Sequence, residues 1–317
     1  MLSLPDFREK QIVYLISKPG AKQKLVFWND NIRLLENDKP VNQISCSRVF
    51  AVFIIGDFSI TTKLIKNCKE YGISLFLLKQ NFEVYASVVA EAEGNYLLRA
   101  KQYSLKNDFE IAKNIVKNKT YNQLHLLNKV EKMPKPVSAY KEAALNIDAV
   151  KNHKALLGTE GQHTREFFQQ YFKEFGWIRR SPRTKGDITN VLMDIGYTFL
   201  FNFTDALLRL YGFDTYKGIY HKLFFQRKSL ACDVMEPFRC VIDKQIYKAY
   251  RLKQIDKKDF TVSRGQYQLS YQNQQKYLEL FFDSIMERKE DLFVYARDFY
   301  YCILNNTTDY PFFKVSG

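Results

Sequence analysis

The chain has four histidines (His125, His153, His163 and His221), so any scheme that needs an imidazole must use one of them. Eight residues after His221 comes SLACDVMEPFR, Ser229 to Arg239. On a helix, Leu230, Val234, Phe238 and Val241 would form an apolar stripe, with Asp233 and Glu236 one above the other on the opposite face. Two carboxylates on one face repel each other unless a cation sits between them or water separates them. Pro237 also obstructs the hydrogen bond that its position would give to the Asp233 carbonyl, so an irregular helix is expected beside these acids. A third carboxylate, Glu160, lies in Gly158-Thr159-Glu160-Gly161, at the expected start of an amphipathic helix. That helix would bury Phe167, Phe168, Tyr171, Phe172 and Phe175 and stop at Gly176. Each residue has a plain structural reading too. Glu160 would suit a helix dipole, Asp233 and Glu236 a solvated face, and His221 a partly buried, satisfied position.

Other schemes fit less well. Glu160-x-x-His163 has the spacing of di-iron bundles, but that site needs the motif twice, and no other histidine has a Glu three residues before it. His163 is therefore expected at the surface beside the site. The chain contains no GxxxxGK[ST] phosphate loop, GxSxG elbow or HExxH helix.

The elements that must position these residues fall into two classes. Residues 1–92 read as β-rich. Ile12 to Ile16 is an apolar run ending at Lys18-Pro19-Gly20, and Lys24–Trp28 with Ile32–Leu35 suggests a hairpin across Asn29-Asp30-Asn31. Val49 to Ile55 has the composition of a strand buried on both faces. Ser59 to Tyr71 has helical spacing and ends at Gly72. Ser74–Leu78 and Phe82–Val89 would close the sheet. Beyond Glu93 the apolar period changes to about 3.6, with Phe109–Val130 behind a possible Asp108 cap. A break follows at Met133-Pro134-Lys135-Pro136, then helices near 160–175, 188–211, 229–250, 270–288 and 290–304. The fold class expected is α+β: a β-rich domain over 1–92, then a larger all-α domain over 93–317.

Composition narrows the partner. The 317 residues are 46% hydrophobic and 26% charged, enough for a full core, and the net charge is +14. Such an excess suits a polyanion. It is concentrated in the helical part: residues 1–92 hold 12 Lys and Arg against 9 Asp and Glu, and the rest hold 36 against 25. From Lys217 to Lys258 there are 11 basic residues against 4 acids. Arg165, Arg179, Arg180, Arg183 and Lys185 form a second patch beside Glu160, and Lys222, Arg227, Lys228 and Arg239 belong to the first. These nine are the candidate nucleic-acid contacts. The longest apolar run is strand-sized, no signal-peptide pattern opens the chain, and Cys46, Cys68, Cys232, Cys240 and Cys302 form no CxxC pair. A cytoplasmic protein with reduced, mostly buried thiols is expected.

GTEG, an aromatic helix, RRSPRTKGDITNVLMDIGYTFL, GIYH and SLACDVMEPFR make one ordered signature. It resembles the CRISPR-associated adaptation integrase, the universal first-named Cas family that inserts new spacers into CRISPR arrays. RAKQY (Arg99 to Tyr103) and KTYNQ (Lys119 to Gln123) match early helical motifs of the family, so the similarity runs over nearly the whole chain. The N-terminal wording LSLPDFREKQIVYLI looks closest to integrases of the type V group. Two departures stand out: GFDTYKGIYH before the histidine, and Cys240 where a proline is commoner.

The resemblance implies that Glu160, His221 and Glu236 are metal ligands, with Asp233 a further acidic functional position. Two carboxylates and an imidazole suit Mg²⁺ or Mn²⁺ rather than zinc, which favours more histidine or thiolate. It implies transesterification, in which the 3′-hydroxyl of a short foreign DNA attacks a phosphodiester of the CRISPR repeat. His221 would bind metal as neutral imidazole, so activity should fall below about pH 6.5. The implied partners are double-stranded DNA, a second copy through the β-rich domain, and a small ferredoxin-like adaptation nuclease bridging two dimers. The alternatives are a stand-alone structure-specific metal nuclease with the same ligands, and a basic DNA-binding scaffold whose acids are structural.

Overall fold

The computed structural model describes residues 2–92, 94–130, 137–182, 184–221 and 226–316. They form two compact units: Met1–Asn95 with Asp205–Phe213, and Tyr96–Thr204 with Asp214–Gly317. The first unit therefore includes a short segment from far along the chain, which no contiguous reading of the sequence contains.

After the short helix α1 (Leu4–Arg8), the first unit builds two sheets. One joins β1 (Gln11–Ile16), β5 (Val49–Ile55), β7 (Ser74–Leu78) and β8 (Val84–Val88) in that order, parallel except for β8. The other runs β4 (Lys39–Ser45), β3 (Asn31–Glu36), β2 (Gln23–Trp28), β6 (Ser59–Ile60). The β2–β3 turn is tight because Asn29 and Asp30 both take positive φ, 43° and 58°, as a two-residue hairpin turn requires. Asn37 and Asp38 repeat this between β3 and β4. All seven residues of β5 are buried, as its unbroken apolar run implies. Leu25 and Ile32 of one sheet, Val52 and Ile54 of the other, and Leu64 and Cys68 of α2 (Thr62–Glu70) share one core.

The second unit is helical: α3 (Tyr96–Tyr103), α4 (Asp108–Val130), α5 (Val137–Asp148), α6 (His153–Tyr171), the start of α7 (Ile188–Leu210), α8 (Ser229–Met235), α9 (Arg239–Arg251), α10 (Gln274–Met286) and α11 (Lys289–Asn305). It is not all-α, because β9 (Phe260–Ser263) and β10 (Gln266–Leu269) form a hairpin with Arg264 and Gly265 at positive φ. Gly196 lets α7 cross closely over α9 and α10; a Cβ there would lie 2.5 Å from Ile242 Cγ2 and 3.0 Å from the Phe281 ring. By length and composition α7 could cross a membrane, although the run-length reading had passed over it. Of its most apolar window, 83% is buried inside the protein, as befits a core helix. The five cysteines are free, and only Cys232 is not fully buried.

Two boundaries move the proposed site residues. Helix α6 begins at His153, capped by the Asn152 side chain, so Glu160 sits two turns inside it rather than in its first turn. The helix dipole therefore cannot account for Glu160. Pro237 breaks the long helix expected over 229–250: α8 stops at Met235, Glu236–Phe238 is a 3₁₀ turn, and α9 restarts at Arg239.

Candidate active site

All four proposed site residues lie in the helical unit. Asp233 and Glu236 are not a solvated face; they are 0% and 4% exposed. The 3₁₀ turn brings Glu236 under α4, where Lys119 Nζ stands 2.7 Å from Glu236 Oε2. The same ammonium donates to Glu160 Oε1, which also accepts from Thr164 Oγ, one turn further along α6, at 2.8 Å. Glu160 and Glu236 therefore converge on one buried cation. Tyr220 closes a further side, its hydroxyl 3.4 Å from Glu160 Oε2.

The charges in this cluster govern one another. Burial alone would raise Glu236, but Arg239, Lys119 and His221 pull it down to about 2. Glu160 likewise is pushed up by burial and held below the usual carboxylate range by Lys119. Burial works against the Lys119 ammonium, yet the two carboxylates raise it above an ordinary lysine. All three groups are charged near neutrality. Among the described residues, no three His, Cys, Asp or Glu side chains are grouped so as to hold an ion as they stand, and Lys119 lies between the two glutamates.

Asp233 is a framework for His221. Its Oδ2 accepts from the backbone N–H of Ile219 at 2.6 Å and of Tyr220 at 3.0 Å. Its Oδ1 accepts from the His221 N–H at 2.9 Å and lies 2.6 Å from His221 Nδ1. A carboxylate on Nδ1 fixes the ring and leaves Nε2 as the nitrogen able to bind an ion, the usual arrangement behind a ligating histidine. Gly218 permits this wrapping. A Cβ there would collide with the His221 carbonyl and lie 2.5 Å from Ser229 Cβ and 3.1 Å from Asp233 Oδ2. Gly218→Ala is accordingly expected to leave the fold intact by circular dichroism, misplace His221 and weaken Mn²⁺ binding by about tenfold or more, as titration calorimetry would show.

The early motifs gain roles that their sequence did not disclose. In RAKQY, the Gln102 amide donates to the carbonyls of Asp214 and Lys217 at 2.8 and 2.9 Å, and the Tyr103 hydroxyl donates to Asp214 Oδ2 at 2.6 Å. Both hold the loop leading to His221. In KTYNQ, Lys119 joins the glutamates, Asn122 donates to the Pro237 carbonyl at 3.0 Å, and Gln123 donates to Thr164 Oγ at 3.3 Å. Lys119, Thr164, Tyr220 and Gln102 had been assigned no part. RAKQY and KTYNQ pointed to Gln102 and Lys119, GIYH carried Tyr220 in the signature without a role, and nothing singled out Thr164.

The nine candidate DNA contacts divide. Arg165, Arg179 and Arg227 are exposed, and Lys185 and Lys228 are half-buried. Arg183 and Lys222 lie outside the described residues. Arg180 is committed within the chain, 2.5 Å from Asp194 and 2.9 Å from Asn190 Oδ1. Arg239 is a correction, because it turns inward: its Nε lies 3.0 Å from Glu236 Oε1 and its guanidinium rests 4.6 Å from the centre of the Tyr197 ring. It steadies Glu236 rather than presenting charge outward. His163, expected at the surface, is half-buried, and its Nδ1 has no hydrogen-bond partner among the described residues.

Comparison with known proteins follows the same lines. The family model for CRISPR associated protein Cas1 matches residues 15–283. A CRISPR-associated endonuclease Cas1 from Thermodesulfovibrio yellowstonii is 27% identical over 247 residues, covering 73% of this chain and 78% of that protein. Two solved structures share the fold. A Cas6-RT-Cas1–Cas2 complex aligns with a TM-score of 0.80 at 24% identity, over 98% of this chain and 36% of that one, so this chain corresponds to one part of a longer polypeptide. A casposase bound to its integration product aligns with a TM-score of 0.79 at 17% identity, over 95% and 92% of the two chains. The α+β architecture and the long family match agree, and the chain belongs to the Cas1 family of CRISPR-associated proteins.

Proposed function

We propose that this chain is a metal-dependent DNA integrase of CRISPR adaptation, working in the cytoplasm, with Glu160, His221 and Glu236 as ligands of Mg²⁺ or Mn²⁺. The observation that carries the reading is the convergence of two buried glutamates on one cation, beside a histidine whose Nδ1 is held by Asp233. The donor set fits a hard divalent ion, and Glu236 Oε2, with the Lys119 ammonium 2.7 Å away, meets no aligned hydrogen-bond donor among the described residues. When bound, such an ion would polarise a phosphate and stabilise the charge developing on it.

The chain's own residues do the rest. Asp233 keeps His221 in one orientation, Arg239 fixes one oxygen of Glu236, and Thr164 and Lys119 fix one of Glu160. Arg165, Arg179 and Arg227 offer exposed charge for phosphates, and Lys185 and Lys228, with Arg183 and Lys222, extend that proposal. The reaction is transesterification: the 3′-hydroxyl of a short duplex attacks a repeat phosphodiester, one P–O bond forms as another breaks, and the released strand keeps a 3′-hydroxyl. The β-rich unit serves dimerisation, and a small adaptation nuclease bridges two dimers. The relative solved together with Cas2 supports the second of these partners.

The test is a joining assay with labelled duplex, a supercoiled plasmid carrying a CRISPR repeat, and Mg²⁺, Mn²⁺ or chelator. Transfer of label into nicked plasmid, abolished by chelator and by Glu160→Ala, is expected. Nicking without transfer, equally lost in the variant, would assign a stand-alone nuclease. DNA processing unchanged by Glu160→Ala or Glu236→Ala would leave a scaffold and overturn the reading.

A further inference from the structure

The reading above has Lys119 steady one oxygen of Glu160 but leaves its positive charge, placed between both glutamates, without a part. Its side chain is only 10% exposed, and it comes from α4, not from the elements that carry the proposed ligands. Burying a lysine is costly without opposite charge around it. Here that charge is Glu160 and Glu236 together, and the ammonium stands where a divalent ion bound to both would have to sit. Neighbouring side chains fix the remaining lone pairs: Thr164 on Glu160 Oε1 and Arg239 on Glu236 Oε1. A second cation cannot enter between the carboxylates while the ammonium remains.

We propose that Lys119 is a built-in counter-cation: it holds the two glutamates together before metal arrives and must leave the gap between them for metal to bind. This rests on the metal reading of Glu160, His221 and Glu236. Metal affinity is then the intrinsic affinity reduced by the fraction of molecules whose gap is free. Lys119 thereby keeps the empty site from springing apart by like-charge repulsion, and it raises the metal concentration at which the site fills. It is a positioning residue, acting through the glutamates.

The test is Lys119→Met, which keeps the length of the side chain and removes the charge, followed by titration calorimetry with Mn²⁺ alone and by melting with and without Mn²⁺. The variant is expected to melt lower than wild type without metal, to gain more from Mn²⁺, and to bind Mn²⁺ about tenfold more tightly. A lysine needed only to support the fold, or one that helps to bind the ion, gives unchanged or weaker Mn²⁺ binding and overturns the proposal. Wild type supplies an independent reading should the variant not fold. Reductive methylation read by mass spectrometry is expected to modify Lys119 slowly in metal-free protein and about threefold or more faster with saturating Mn²⁺; an unchanged rate contradicts displacement. Wild-type binding that Glu160→Gln abolishes, with no tightening in Lys119→Met, removes this inference alone. No binding to wild type removes the metal reading with it.

Discussion

Asp233→Ala is expected to abolish joining and to lower the melting temperature by on the order of 10 °C. The buried carboxylate accepts three backbone N–H groups and lies against the His221 ring, and alanine leaves all of them without that partner. Each stranded donor costs about 1–3 kcal/mol, and each kcal/mol is worth roughly 2–4 °C in a protein of this size class. His221→Ala gives the contrast. It removes the proposed ligand while leaving Asp233 its three backbone donors, so joining should vanish while melting stays close to wild type and DNA affinity stays within about threefold, a change below 1 kcal/mol. Circular dichroism melts, a filter-binding titration and the joining assay separate the two. Equal melting temperatures for Asp233→Ala and wild type would refute the framework role, and a large loss of affinity in folded His221→Ala would count against a purely catalytic one.

A second large effect concerns stability and pH. Asp243 on α9 is 1% exposed, and burial raises its carboxyl to about 7, although the Tyr197 hydroxyl donating at 2.5 Å and the nearby Arg239, Lys119 and Arg180 oppose the rise. The unfolded chain loses this proton near pH 4, whereas the folded protein holds it until about 7. Stability from this group is therefore full below about pH 4 and declines as pH rises to about 7. At about 1.4 kcal/mol for each pH unit of that interval, the loss is on the order of 4 kcal/mol. Asp243→Asn removes the titration, so it should flatten the curve and melt above wild type at pH 8. Glu236 has the opposite sign in a lower window: its contribution is present above about 4.5 and disappears as pH falls towards 2. Melting curves from pH 4 to pH 8 on both proteins check the point, and an Asp243→Asn protein less stable than wild type at pH 8 contradicts it.

Legibility in the sequence followed the range of the interactions. Strand β5 was readable because both its faces are buried, leaving an uninterrupted apolar run, and the β2–β3 hairpin because Asn and Asp tolerate the positive φ of its turn. Strand β4 escaped notice, since Lys39 to Gln43 is exposed and includes Pro40, so it carries no apolar alternation. The β9–β10 hairpin was hidden for the same reason, three of the four residues of β9 being exposed. The proposed ligand residues were legible through motif resemblance, and Pro237 forewarned of the break beside Glu236. What could not be read was the company they keep. Lys119 lies 41 residues before Glu160 and meets Glu236 only because α4 packs on the 3₁₀ turn. Arg239 looked like one more charge in a basic run, and only the turn after Met235 shows that it faces Glu236. The Lys119 pairing leaves no local pattern, because it depends on elements far apart in sequence, whereas the Glu236–Arg239 pair is three residues apart and was masked only by the basic run around it.

The most direct test of the claim that Glu160, His221 and Glu236 form one metal site is an anomalous difference map from a crystal soaked in Mn²⁺. The expected result is a single strong peak bounded by the two glutamate carboxylates and His221 Nε2, with Lys119 Nζ moved out of the gap. A peak elsewhere, or none at saturating Mn²⁺ with Lys119 still between the glutamates, would contradict it.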